Sequence, residues 1–143
     1  MNSIKGDSKI RIAIIQLETS ISLYFKKNFI CAITLAGASE EILNQFAKEK
    51  SGITANHLDK DFIDFIAEEY NKDKPSLEKV KQVNNRLKNE LKHQNNSTDY
   101  CVLADLEFEA ELIIDRALRN YQLYFNSFPT SPIITKYLTI LWK

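Results

Sequence analysis

Phe29-Ile-Cys-Ala-Ile-Thr-Leu-Ala-Gly-Ala-Ser-Glu-Glu-Ile-Leu-Asn-Gln-Phe46 is the most apolar run in the chain. Its large residues (Ile30, Ile33, Leu35, Ile42, Leu43, Phe46) alternate with small ones (Ala32, Ala36, Gly37, Ala38, Ser39). Read with a helical period, it is apolar nearly all round as far as Ser39, which predicts a helix buried at the centre of a bundle. Small residues let neighbouring helices approach closely. Cys31 falls inside this helix and reads as a small buried hydrophobe. Glu40 and Glu41 interrupt the run and read as rim charges rather than working carboxylates.

Working outward, Asn28 is a natural cap for this helix and Gly52 a natural stop. Before it, residues 1–8 read as a loose tail. A first helix is predicted over 9–27, with Ile10, Ile14, Leu17, Ile21 and Tyr24 or Phe25 on one stripe. After it, 53–58 read as a loop. A shorter helix is predicted from Asp59 or Asp61 to about Asn71, with Phe62, Ile63, Phe65, Ile66 and Tyr70 as its apolar face. Pro75 and Ser76 mark a turn and a cap. A fourth helix is predicted over 77–93 with Leu77, Val80, Leu87 and Leu91 buried, and residues 94–99 are polar and unpatterned. A long fifth helix is predicted from about Cys101 to Asn126, on the recurrence of Leu106, Ala110, Ile113, Ala117, Tyr121 and Tyr124. Ser131-Pro132 suits the start of a short last helix, although its β-branched residues also permit a strand. Tyr121, Tyr124, Phe125 and Phe128 read as core or a dimer seam in preference to a base-stacking surface.

These predictions give an all-α, single-domain bundle of about five to six helices spanning residues 9–143. Three glycines and three prolines in 143 residues favour long helices over a strand-and-turn fold. The 19 basic and 19 acidic side chains cancel, so a broad basic field for nucleic acid is absent and any such binding needs a local patch. Cys31 and Cys101 are the only cysteines, and no Cys/His ligand spacing occurs, so neither a metal nor another cofactor is expected. Gly6, Gly37 and Gly52 stand too far apart to cradle a phosphate in a glycine-rich loop. No apolar leader precedes the first helix, and no run reaches membrane-spanning length. The expectation is a cytoplasmic protein that does not enter a membrane.

One polar segment stands out, Asn84-Asn-Arg-Leu-Lys-Asn-Glu-Leu-Lys-His93. On a helix, Arg86 and His93 lie two turns apart on one face, with Asn89 between them, nearly opposite the apolar stripe; their backbones span about 10 Å. A solvated helix face has just such a composition. His57, the other histidine, reads as a surface residue with no site attached.

The Arg86-x6-His93 pair near the end of a helix resembles the motif of the HEPN superfamily, small helical bundles that are often dimeric and include metal-independent endoribonucleases. Their commoner motif is Arg-Asn, three residues, His; in that register this chain has Lys88-Asn89-Glu-Leu-Lys-His93, with lysine in the arginine position. The segment Ala36-Gly-Ala-Ser-Glu-Glu-Ile-Leu43, with Asn89-x-Leu-Lys-His93, is also similar to a group of small bacterial proteins of unassigned activity. The resemblance implies RNA as substrate and a homodimer that joins two such strips into a groove. His93 would act as general acid or base on the ribose 2′-hydroxyl. Arg86 would stabilise charge on the phosphate, and Asn89 would position one or the other. Lys88 and Lys92 would add local positive charge. The competing expectation is a non-catalytic helical module for dimerisation or partner binding.

Overall fold

A computed structural model describes residues 6–92 and 104–141. Within them are six α-helices and no strand: α1 (Lys9–Phe25), α2 (Phe29–Ser51), α3 (Ala55–Glu69), α4 (Leu77–Lys92), α5 (Leu106–Phe125) and α6 (Pro132–Leu141). The all-α bundle expected from the helical periodicities is what forms, and the last segment is helical despite its β-branched residues.

Most helix starts are set by short polar side chains accepting the otherwise orphaned amides. Ser8 accepts from Arg11 N, Asn28 from Cys31 N and Ser76 from Lys79 N. Asp105 accepts from Phe108 N and Ser131 from Ile134 N. Gly52 ends α2 in the left-handed conformation at φ 75°, its N–H returning to the Lys48 carbonyl.

The core lies where α2 packs on α5 and α1. Leu17, Ile21, Ile33, Leu43, Ile114 and Leu118 are fully buried there, with Ala13, Ala32, Ala36 and Ala117 between them. The small residues do the work expected of them. Ser20 Oγ donates to the Ala32 carbonyl at 2.6 Å and Ser39 Oγ to the Ala13 carbonyl at 2.7 Å, so the α1 and α2 backbones sit within one hydroxyl of each other. Against α1, α6 buries Ile134 and Tyr137, and the Tyr137 ring meets Tyr24 edge-on.

Three expectations are corrected. First, α2 is central but not buried all round. Cys31 is exposed, as are Ile30 and Thr34, because among the described residues no helix covers that side of its first turns. Secondly, Glu40 is buried rather than at the rim; only Glu41 stands at the edge. Thirdly, α3 starts at Ala55, four residues ahead of Asp59. Thr54 and His57 close its first turn: Thr54 N–H donates to His57 Nδ1 at 3.1 Å, in the manner of a capping box. His57 is thus a helical, half-buried residue and not a loop residue. At the other junction α5 begins at Leu106, since Asp105 is its cap; the expected start at Cys101 lies outside the described residues, as do residues 94–99.

The third helix stands apart from the others. It contributes no side chain to the main apolar core. Its buried residues are Ala55, Asn56 and Ala67, and it rests on α4 and α5.

Candidate functional site

The polar strip of α4 divides. Arg86 and Asn89 are both exposed, facing away from buried Val80 and Leu87. Arg86 Nη1 donates to Glu90 Oε1 at 2.9 Å, an i,i+4 pair in solvent. His93 lies outside the described residues. Lys88, the residue in the arginine position of the commoner motif register, turns inward. It is only 4% exposed, and its Nζ lies 2.7 Å from Glu41 Oε1 and 4.0 Å from Glu40 Oε2. Lys92 stands 3.7 Å from Glu41. The positive charge expected of Lys88 and Lys92 is therefore matched by the α2 carboxylates rather than offered to a ligand.

Lys88 reaches those carboxylates across Gly37. A Cβ at Gly37 would stand 2.5 Å from Lys88 Cδ and 2.8 Å from Cγ, so the missing side chain is the channel through which the lysine stem passes. Behind it lies a buried polar knot joining four helices. Asn120, fully buried on α5, accepts the Ala55 N–H at the head of α3 at 2.8 Å and donates to Glu40 Oε1 at 3.3 Å. Arg116 Nη2 donates to the Asn84 carbonyl of α4 at 2.7 Å, while its Nε is buried without a partner. Burial pushes the Glu40 carboxyl above the ordinary carboxylate range, against the pull of Arg116 and Lys88. Burial likewise lowers the Arg116 guanidinium from its ordinary value. The hydrogen bond from Lys88 holds Glu41 low.

Further out, a cleft of about 430 Å³ opens between α3, α4 and α5. Its walls are Leu58, Phe62, Ile63 and Leu112, and its floor is Asp59, Asn84, Asp115 and Arg119. Arg119 bridges Asp59 at 2.9 Å and Asp115 at 2.8 Å, and Asn84 Nδ2 donates to Asp59 at 3.0 Å and to Asn56 at 2.8 Å. Burial raises Asp115 despite Arg119. Every floor group already holds a partner, so this floor fastens α3 and α4 to α5.

The rim of that cleft continues into an apolar surface. Phe62, Phe65 and Tyr70 are 66%, 60% and 71% exposed, and Ile63, Ile66 and, on α4, Val83 are also open to water. The apolar face read from the sequence of α3 is real, but it points outward. Periodicity reports an apolar stripe without saying whether this chain covers it. The inward turns of Lys88 and Arg116 carry no local sequence signal, because each depends on a carboxylate or carbonyl from another helix.

Among the described residues no group of acidic, histidine or cysteine side chains could hold a metal ion, and no helix is long and apolar enough to cross a membrane. No family model, curated protein or solved structure matches the chain.

Proposed function

We propose that this protein is a homotypic pairing module, a helical unit that associates with a second copy of itself across the face formed by α3 and α4. The observation that carries this reading is the row of aromatics on a helix that gives nothing to the core. At about 200 Å² per aromatic side chain, Phe62, Phe65 and Tyr70 alone leave on the order of 400 Å² in water, the size at which a patch on a monomer has a purpose. With Ile63, Ile66 and Val83 the surface approaches the ~800 Å² per partner of a standard interface.

Charge favours a second copy as the occupant. α3 exposes the acids Asp61, Glu68 and Glu69, whereas α4 exposes Lys79 and Arg86 beside Glu78. A two-fold axis that lays α3 of one copy on α4 of the other matches acid to base twice, the self-complementarity an isologous pair requires. The test is solution mass by sedimentation, comparing wild type with Phe62→Glu/Phe65→Glu. A dimer that becomes a monomer with unchanged helical circular dichroism supports the reading. A monomeric wild type, or a variant that still pairs, sinks it.

A second reading keeps the metal-independent endoribonuclease, with His93 as general acid or base, Arg86 as phosphate clamp and Asn89 as positioning residue. Its support is that Val83 on the apolar face precedes exposed Arg86 by one turn of α4. Pairing there would set the two copies' Arg86 along one seam. RNA cleavage in the presence of a chelator, lost on His93→Ala, is the result this reading requires.

A further inference from the structure

We propose that a second cleft, at the start of α3, binds the terminal phosphate of a phosphomonoester. This cleft, about 350 Å³, opens where the end of α2, the start of α3 and the start of α4 meet, and it shares no residue with the aromatic face of α3. The side chains that argue for it are Asn44, Gln45, Lys48, Thr54, His57 and Lys81.

No carboxylate lines the cleft. Lys48 makes no ion pair among the described residues, and the carboxylate nearest Lys81 is the outward-lying Glu78 at 3.7 Å. Glu49 is occupied by Gln45, whose Nε2 donates to it at 2.9 Å. The left-handed turn at Gly52 reverses the chain so that Lys48 of the last turn of α2 and His57 of the first turn of α3 face the same space. His57 is set up as a donor. Its Nδ1 accepts the Thr54 N–H, so the ring proton resides on Nε2, which is left free to donate to a ligand. The positive end of α3 adds to the same field.

Asn44 lines the cleft as a neutral amide. Its Oδ1 is shut off from water with no partner. Two ammonium groups and one imidazole N–H, with no carboxylate in the lining, match a dianion with three terminal oxygens better than a diester with one charge and two. The volume lies at the small end of ligand clefts and leaves room beyond the phosphate for part of the group it esterifies.

The test is calorimetry with inorganic phosphate, uridine 5′-monophosphate and uridine, together with the NMR signals of the His57 ring. Both phosphate compounds are expected to bind and to shift the ring signals, whereas uridine leaves them unmoved. Tighter binding of the nucleotide than of inorganic phosphate would assign the rest of the cleft to an organic group; equal binding would assign it to free phosphate. Lys48→Gln and Lys81→Gln lie at the surface, leave the fold intact and should each weaken binding by about tenfold. Absence of binding at millimolar phosphate, or equal binding by the Lys48→Gln/Lys81→Gln double variant, overturns the proposal. Because neither lysine belongs to the aromatic face, failure here leaves the pairing reading standing, and loss of pairing leaves this site testable on the monomer.

Discussion

Lys88 shows how a single side chain can join two opposite pH dependences. Burial makes the folded chain hold the Glu40 proton more tightly than the unfolded chain does. That contribution is greatest in acid and is eroded as pH rises from the ordinary carboxylate value toward the folded one. Glu41 behaves in the reverse sense. Its lowered value contributes stability above the ordinary carboxylate range, lost as pH falls through the folded value. Lys88→Met keeps the stem over Gly37 and removes the charge that moderates both. Glu40 should climb further and Glu41 relax toward its ordinary value. The expected loss is about 3 kcal/mol at pH 7 for uncovering a buried charge, and distinctly less at pH 4, where Glu40 is protonated. Urea midpoints at the two pH values check this; an equal loss at both would contradict the account.

Gly37 provides the companion test. Alanine is the better helix former by about 1 kcal/mol, but here its methyl group meets the lysine stem and lies 3.3 Å from Ile113 Cδ1. Gly37→Ala is expected to cost about 1–3 kcal/mol in the native background and to become neutral or favourable once Lys88→Ala has cleared the channel. Chemical denaturation of the four chains of that cycle gives the coupling directly.

At the level of elements, the start of α3 depends on one side-chain amide from another helix. Asn120 accepts the Ala55 N–H, and its other end holds Glu40. Asn120→Leu should cost about 2 kcal/mol through unsatisfied buried groups and loosen the first turn of α3 before any other, read as lost amide protection at Ala55 and its neighbours. The legibility of each element in the sequence obeys the same logic of local against remote partners. Asn28 and Gly52 act within their own turns, so the limits of α2 can be read directly. Asp105 is an equally plain signal, but the apolar pattern continuing back to Cys101 masks it. Thr54 is a permitted cap residue whose partner is a histidine rather than the usual Glu or Gln, so the pattern places the start of α3 four residues late. The site divides likewise. The exposure of Arg86 and Asn89 comes from the stripe of α4. The burial of Lys88 on α4 rests on a glycine of α2, and that of Glu40 on α2 on an arginine of α5, which no single-helix period contains.

The whole molecule combines an apolar body with an appendage attached by different chemistry. α1, α2, α5 and α6, joined by Leu87 and Leu91 of α4, share one core of aliphatic and aromatic side chains. α3 is joined to that body through Asn120, the Arg119–Asp59 bridge and the Asn84–Asn56–Asp59 hydrogen bonds. If the aromatic face pairs two copies, dilution should expose it again. Phe62→Glu/Phe65→Glu should then be as stable as the diluted wild type but no longer gain thermal stability with concentration. Thermal scans across a hundredfold range of concentration are the measurement.

The polar attachment of α3 also bears on how the chain comes apart. Contacts made of hydrogen bonds and partly exposed ion pairs release little apolar surface when they part, so detaching α3 should depend weakly on denaturant, whereas melting the body should depend on it steeply. Hydrogen exchange should resolve two classes of amide. Those of α3 would exchange through a shallow, salt-accelerated opening, and those of α2 and α5 only through the global transition.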